Sequence, residues 1–244
     1  MSETTRVALV TGASGGIGRA VARRLATEGM AVGVHYAGNK AAAEETVAAV
    51  EAAGGRAIAV TGDVADEAAM ADAFSAVERA FGGIDVVVHT AGVMTLAPIA
   101  EFDLEAFDRL MRTNVRGAFV VAREAARRVR DGGAVVTFST SVTRLAFPGY
   151  APYAASKGAV EAMTLVLARE MRGRDVTVNA VAPGPTATPL FLKGKDQETI
   201  DRLAAQPPLE RLGTPEDIAE TVAFLAGPGR WVNGQVLFAN GGIA

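Results

Sequence analysis

The sequence predicts an α/β protein built on a doubly wound, seven-stranded parallel sheet with helices on both faces. The chain of 244 residues has the length of a single α/β unit, and no proline- or glycine-rich linker divides it. Short apolar runs rich in β-branched residues alternate with stretches of helical spacing along the whole chain, which is the order typical of parallel sheets. We therefore interpret residues 1–244 as one domain.

The predicted strands are continuous apolar runs, which indicates burial on both faces of the sheet. They cover residues 7–10, 31–36, 56–61, 84–89, 134–139, 176–181 and 235–238. Between them apolar residues recur at helical spacing, as at Ile17, Val21 and Leu25. In such a sheet the ligand crevice lies at the carboxyl ends of the strands, so functional residues are expected there.

The composition argues against several classes of partner and site. The 24 basic and 27 acidic residues give a formal charge of −3 without a long run of one sign, so we expect no nucleic-acid partner. With no cysteine and only 2 histidines, no metal centre is expected. Residues 1–6 lack the features of a signal peptide and no 18-residue apolar run occurs, which predicts a cytoplasmic protein that does not bind membranes.

Residues 183–213 depart from the alternation of strands and helices. This segment carries Pro183, Pro185, Pro189, Pro207 and Pro208, and it is too long for an ordinary connection. Long segments of this kind beside a crevice often carry function, so we predict a substrate lid.

A glycine-rich turn follows the first predicted strand. Residues 12–18 read GASGGIG, with glycines in the pattern GxxxGxG. Glycines here allow a tight turn and close backbone approach, and the free N–H groups at a helix N-terminus favour a pyrophosphate. A tight turn without a ligand is the competing interpretation of the pattern alone. The candidate cofactor contacts are Gly12, Ser14, Gly15, Gly16, Ile17 and Gly18.

Tyr153 and Lys157 lie four residues apart, so they share one face of a predicted helix. A tyrosine has an ordinary pKa of about 10, and a neighbouring ammonium favours its phenolate. Tyr153 is therefore a candidate acid or base. The spacing alone is also consistent with a solvent-exposed pair on an amphipathic helix.

Taken together, motifs along the whole chain resemble the short-chain dehydrogenase/reductase family, particularly its ketoacyl-reductase-like members. They are TGASGGIG at 11–18, Asp63-Val64, Ala91-Gly92, Asn114-Val115-Arg116-Gly117, YAASK at 153–157, Pro183-Gly184 and RLGTPED at 211–217. The resemblance implies a Rossmann fold, a nicotinamide cofactor and hydride transfer. It implies that Tyr153 exchanges a proton with substrate, that Lys157 also holds the nicotinamide ribose, and that Asn114 holds a water behind Lys157.

The family has a serine about thirteen residues before its tyrosine, where it binds the substrate oxygen. Here Thr140 has the spacing, whereas Ser141 has the usual residue type and is followed by Val142. Strand alternation would turn Thr140 away from Ser139 and Ser141 unless the strand end bulges. Both Thr140 and Ser141 stay candidates.

The resemblance also implies further cofactor contacts. Asp63 would accept a hydrogen bond from the adenine amino group, and Val64 would contact the ring. His89 and Thr90 stand where the family commonly has two asparagines, so contacts there are open. The remaining contacts are implied at Thr90, Ala91, Gly92, Pro183, Gly184, Thr186 and Thr188.

The end of the second predicted strand favours NADP(H) over NAD(H). An NAD-specific site has a carboxylate there for the ribose 2′-hydroxyl, but the first acidic residue after the strand is Glu44. A 2′-phosphate could instead accept hydrogen bonds from Tyr36, Ala37, Gly38 and Asn39, with Lys40 or His35 as further candidates. The competing interpretation is that Asn39 only caps the following helix and Lys40 only faces solvent. Gly15 stands where many NADP-dependent relatives have a basic residue, so NAD(H) use stays open.

These observations predict an NADPH-dependent reductase of a ketone or a 3-oxoacyl group. A ketoacyl thioester, a small ketone and a sugar-like alcohol are all open as substrates. The aliphatic surface of a predicted helix at 103–129 and of the helix near Tyr153 predicts a homotetramer. A regulatory dinucleotide-binding protein and a methyltransferase are the alternatives.

Overall fold

The computed structural model describes residues 5–244 and confirms the predicted fold. All seven strands are parallel, in the order β3-β2-β1-β4-β5-β6-β7. They are β1 (Val7–Thr11), β2 (Ala31–Tyr36), β3 (Arg56–Thr61), β4 (Ile84–His89), β5 (Val129–Phe138), β6 (Thr177–Pro183) and β7 (Val236–Ala239). The winding direction reverses between β1 and β4, which places a crevice at their carboxyl ends.

The fifth strand begins five residues before its predicted start at 134. Ile84 pairs with Val129 and Val86 pairs with Ala134, so residues 130–133 form an irregular bulge in β5. Those four residues are Arg-Asp-Gly-Gly, and no apolar run could reveal them as part of a strand.

Helices cover both faces of the sheet, and each face has its own apolar core. One core includes Val32, Leu25 and Ile218, and the other includes Phe74, Val87 and Leu167. The longer helices are α1 (Gly16–Thr27), α2 (Lys40–Ala52), α3 (Glu67–Phe81), α4 (Leu104–Met111), α5 (Gly117–Arg128), α7 (Ala151–Glu170) and α10 (Pro215–Ala226), and a short α6 covers Val142–Leu145. Within residues 5–244 no helix has the length and apolar character needed to cross a bilayer.

The predicted lid segment 183–213 forms its own small structure over the crevice. It contains two short helices, α8 (Pro189–Leu192) and α9 (Gln197–Ala204). Its ends are held together because Ala187 N–H donates to Gly213 O and Gly213 N–H donates to Pro185 O, both at 2.8 Å. The segment between these anchors has few buried residues, which is typical of a lid.

Candidate active site

The glycine-rich turn brings backbone close to backbone at the start of the crevice. Gly12 has φ +68° and Gly16 has φ +51°, in the left-handed region that favours glycine. A Cβ on Gly12 would lie 2.9 Å from the Ala91 backbone, and one on Gly18 would lie 2.4 Å from Gly12 O. No side chain fits at Gly12 or Gly18, and the turn leaves the N-terminus of α1 open toward a long groove.

The long groove has a volume of about 590 Å³ and follows the carboxyl ends of β1, β2 and β4. Most of the predicted cofactor contacts line it: Gly12, Ser14, Gly15, Gly16, Ile17, Gly18, Ala37, Gly38, Asp63, Val64, Thr90, Ala91, Gly92 and Thr188. His35, Val93, Thr113, Phe138, Pro189 and Leu190 line it as well. Of these, the sequence suggested only His35, because the others depend on how the loops pack.

At the end of β2, the predicted contacts Tyr36 and Asn39 and the further candidate Lys40 lie outside the wall of the long groove. Tyr36 packs against the core beneath α1 and α2. Asn39 caps α2, since its Oδ1 accepts a hydrogen bond from Ala42 N at 3.0 Å. Lys40 forms an ion pair with Glu44 at 3.3 Å. Ala37 and Gly38 therefore remain the predicted contacts that border the groove at this end.

Asp63 is held firmly at the far end of the groove. Its Oδ1 accepts from Ala65 N at 2.9 Å, and its Oδ2 accepts from Arg112. Burial raises the pKa of the Asp63 carboxyl, but the Ala65 amide and the Arg112 guanidinium outweigh burial and hold that pKa below its usual value. Each carboxylate oxygen keeps a second lone pair, so Asp63 can still accept from a ligand.

A second cavity, the inner pocket, adjoins the groove and has a volume of about 140 Å³. Tyr153, Lys157 and Thr140 meet in its wall. Lys157 Nζ donates to Phe138 O at 2.9 Å and lies 5.8 Å from the centre of the Tyr153 ring. Pro183, Gly184, Thr186 and Thr188 line the same pocket, and Thr188 also borders the groove. The two cavities therefore meet at the predicted catalytic residues.

Burial controls the protonation of both groups. It raises the pKa of the Tyr153 phenol to about 12, although the Thr140 hydroxyl acts in the opposite direction. Burial lowers the pKa of the Lys157 ammonium to about 8. In the chain by itself, desolvation of the phenolate therefore dominates the pKa of Tyr153, and the favourable effect of Lys157 on the phenolate stays a prediction.

The structure separates the three hydroxyls that follow β5. Ser139 Oγ donates to Glu161 Oε1 at 2.5 Å. Ser141 Oγ donates to Ala182 O at 3.3 Å and accepts from Asn240 Nδ2 at 3.0 Å. Thr140 faces the Tyr153 phenol, and its Oγ1 accepts only a long bond from Val142 N at 3.3 Å. Thr140 is thus the hydroxyl with the freest capacity toward a ligand.

Asn114 lies in a wide helical turn, Arg112–Arg116, between α4 and α5. Its Oδ1 accepts from Val93 N and its Nδ2 donates to Val93 O, both at 2.8 Å, while Nδ2 also donates to Ser156 Oγ at 3.1 Å. Wide turns of this type are frequent at functional sites. Here the side chain ties the loop after β4 to helix α7, which carries Tyr153 and Lys157.

Comparison with known proteins identifies the family. A family model described as Enoyl-(Acyl carrier protein) reductase matches residues 12–244. A "Short-chain type dehydrogenase/reductase" from Picea abies is 44% identical, and the alignment covers 97% of this chain and 92% of the relative. The chain belongs to the short-chain dehydrogenase/reductase family.

Two further likenesses cover nearly the whole of this short-chain dehydrogenase/reductase. The "NADPH-dependent aldehyde reductase 2, chloroplastic" of Arabidopsis thaliana is 40% identical, with 97% of this chain and 93% of the relative covered. The solved structure of the angucycline C-6 ketoreductase LanV with bound NADP superposes with a TM-score of 0.93 at 36% identity, covering 98% of this chain and 96% of that one. As a family member, the chain is an oxidoreductase.

Proposed function

We propose that this protein is an NADPH-dependent reductase that converts a ketone or aldehyde into an alcohol. The observation that carries the proposal is the meeting of the long groove and the inner pocket at Tyr153, Thr140 and Lys157. The groove fits a dinucleotide, since the Gly12 and Gly18 positions admit no side chain and the N-terminus of α1 faces a pyrophosphate site. The aldehyde reductase and ketoreductase relatives support the reaction class.

Bound NADPH would supply a hydride to the carbonyl carbon and leave as NADP⁺. The protein supplies the proton. Tyr153, with its pKa raised to about 12, is a neutral phenol near pH 7 and donates its proton to the carbonyl oxygen. Thr140 orients that oxygen through its hydroxyl.

Lys157 balances the charge that forms when Tyr153 loses its proton. With a pKa near 8 the ammonium is mostly protonated at pH 7, close to the phenol. A proton from solvent then restores the phenol, with Lys157 as its neighbour in the relay. Asn114 acts as a positioning residue, since it fixes Val93 and α7.

The preference for NADPH rests on the charge at the ribose end of the groove. No carboxylate lies at Ala37 or Gly38, and the nearby Asp63 is paired with Arg112. Gly15 has extended backbone and open space around it, so an arginine fits there without strain. We expect Gly15→Arg to lower the Kd for NADPH by about 3- to 10-fold through a charge-assisted hydrogen bond, with little effect on NADH. Fluorescence titration measures both constants.

The reductase proposal is tested by a panel of ketones, aldehydes, 3-oxoacyl thioesters and sugars, with NADPH or NADH followed at 340 nm. Oxidation of NADPH with at least one carbonyl, faster than oxidation of NADH, is the expected result. Binding of NADPH without turnover of any carbonyl would favour a regulatory protein instead. Binding of S-adenosylmethionine would favour a methyltransferase.

We also propose a homotetramer in the cytoplasm. The support is an exposed apolar surface on two adjoining helices, where Phe119 of α5 and Leu165 and Val166 of α7 are 58%, 45% and 55% exposed. Closed symmetry would bury these side chains. Light scattering at micromolar concentration should give four times the mass of the chain, and a monomer would refute the assembly.

A further inference from the structure

Beyond Tyr153 and Thr140, the inner pocket is lined by apolar side chains and by hydroxyls, most of which already bond within the chain. Met94 follows β4, Leu145 and Phe147 follow β5, and Phe191 and Leu203 belong to the lid. Among the residues that line this pocket there is no aspartate, glutamate, arginine or histidine, and Lys157 is the single charged group. Lys157 is itself buried behind Tyr153, with Phe138 O as its hydrogen-bond acceptor.

Such walls reject charged or hydroxyl-rich substrates. A carboxylate or a polyol that enters must give up hydration, and the pocket returns few hydrogen bonds because most of its wall hydroxyls already donate within the chain. An uncharged hydrocarbon body gives up water at no such cost and gains contact with the walls. Which of the three open substrate classes binds therefore depends on the contacts that the pocket wall offers in place of the water that the substrate loses.

The rings in the wall favour a flat substrate. Phe147 and Tyr150 stand 5.9 Å apart in an edge-to-face arrangement. Aromatic rings pack well against further rings in offset or edge-to-face contacts. The volume of the pocket, about 140 Å³, is close to the roughly 150 Å³ of an engineered apolar cavity that binds benzene, so the pocket has the scale of one ring.

The rim continues the apolar character of the walls. Ala97 N–H donates to Gly149 O at 3.1 Å, which joins the loop after β4 to the segment that carries Tyr150. Leu96 and Ile99 on that loop are 38% and 78% exposed. A substrate larger than one ring could therefore extend along an apolar rim.

The lid provides no basic surface for the phosphates of a carrier-bound thioester. Residues 193–202 hold three basic and three acidic side chains, so their charges balance. The Lys195 ammonium lies 4.5 Å from the centre of the Phe191 ring and donates to Phe191 O. Arg144 stacks on the Phe238 ring at 3.8 Å. Lys195 and Arg144 are thus engaged within the chain.

On these grounds, and resting on the proposed reductase function, we propose that the substrate is an uncharged ketone or aldehyde with an aromatic or cyclic hydrocarbon body. Polyhydroxylated, anionic and carrier-bound carbonyls are excluded by the same walls.

The test compares carbonyls of equal shape and different charge, each reduced with NADPH. We expect kcat/KM for benzaldehyde to exceed that for 4-carboxybenzaldehyde by about 10-fold or more. Acetophenone should likewise exceed acetoacetyl-CoA and dihydroxyacetone. Equal or better reduction of the charged, thioester or hydroxylated member overturns the substrate class alone. Reduction of none of these carbonyls overturns the reductase proposal itself.

A variant then locates the selectivity in the pocket wall. Leu203→Lys places an ammonium on the lid side of the pocket, and it should shift the ratio of the two benzaldehydes toward the carboxylated one by about 3-fold or more. Phe224→Lys, on the exposed face of α10 and outside both the pocket and the proposed assembly surface, is the matched control and should leave the ratio unchanged. An unchanged ratio in Leu203→Lys would contradict recognition by these walls. Because the readout is a ratio, general loss of folded protein does not alter it.

Discussion

The amino-terminal and carboxyl-terminal ends of the strands, here called the amino edge and the carboxyl edge, differ in how their polar side chains are paired. At the amino edge, Asp85 Oδ2 accepts from Val7 N at 2.7 Å and pairs with Arg130 at 3.2 Å. Arg174 nearby donates to the backbone oxygens of Ala126 and Val129. These polar side chains have partners that belong to the fold.

At the carboxyl edge two buried titratable side chains, Lys157 and His35, have fewer partners. Lys157 is buried, makes its one hydrogen bond to Phe138 O, and has no ion pair within residues 5–244. Both ring nitrogens of the buried His35 are without a hydrogen-bond partner in that same range. Unpaired buried polar groups lower stability, and they persist where function requires them. Two buried atoms at the amino edge, Arg130 Nε and Thr177 Oγ1, also lack a partner. The contrast therefore lies in Lys157 and His35, two buried titratable groups without an ion pair at the carboxyl edge, where a ligand would bind.

The largest expected effect on activity comes from replacing Tyr153, the proposed proton donor. Tyr153→Phe should lower kcat by on the order of 10²-fold or more, because the carbonyl oxygen loses its proton donor, while the Kd for NADPH changes little. Steady-state kinetics and fluorescence titration provide the two readouts. Tyr36→Phe, which alters a tyrosine outside the groove wall, is the control and should be fully active. A fully active Tyr153→Phe would remove the proposed mechanism.

Acid should weaken the fold through the two histidines. Burial lowers the pKa of His35 to about 4 and that of His89 to about 3. Below pH 6.5 the unfolded chain takes up protons that the folded chain refuses, so stability is full above pH 6.5 and falls toward pH 4 and 3. We expect a loss of about 2 to 4 kcal/mol between pH 6.5 and 5 in urea unfolding.

The range from pH 6.5 to 5 lies above the ordinary pKa of carboxylates, so the two histidines dominate the change in stability over that range. His35→Leu should lose a smaller part of its stability over the same range, since one of the two groups is gone. Constant or rising stability of the unmodified protein toward pH 5 would contradict the assignment of both imidazoles as neutral.

A smaller effect is expected at the amino edge. Asp85→Ala leaves the buried Val7 N–H without an acceptor and should cost about 1 to 3 kcal/mol of unfolding free energy. Asp85→Asn keeps an acceptor oxygen and should cost less. Neither variant should alter kcat/KM of the folded enzyme, and a change there would show that the edges are not separable in function.

The sequence predicted the fold closely because strands buried on both faces are visible as apolar runs. It failed where polar residues interrupt a strand, as at the bulge of residues 130–133 in β5. In the site, spacing identified Tyr153 and Lys157, since both lie on one regular helix. It could not separate Thr140 from Ser141, because that choice depends on Asn240, a residue 99 positions away in the chain.

The same limit applies to protonation. From the sequence, Lys157 is a neighbouring charge that favours the phenolate, but the degree of burial of Tyr153 is a property of tertiary packing. Burial reverses the direction of the pKa shift. Asn39 is different, because an asparagine directly before a helix is a local sign of an N-cap, and the structure bears out that alternative.

The most direct test of the contrast between the edges is Lys157→Met, with activity and stability measured on one preparation. Burial lowers the pKa of Lys157 from 10.5 to about 8. As the pH falls from 10.5 to 8, the unfolded chain binds a proton at Lys157 that the folded chain does not, so the free energy of unfolding decreases. We expect Lys157→Met to lose at least about 10²-fold in kcat/KM and yet to be more stable by on the order of 1 to 3 kcal/mol at pH 7. The gain in stability should shrink as the pH rises above 8. A Lys157→Met protein that is less stable than the unmodified one at pH 7, or that keeps its activity, would contradict the account.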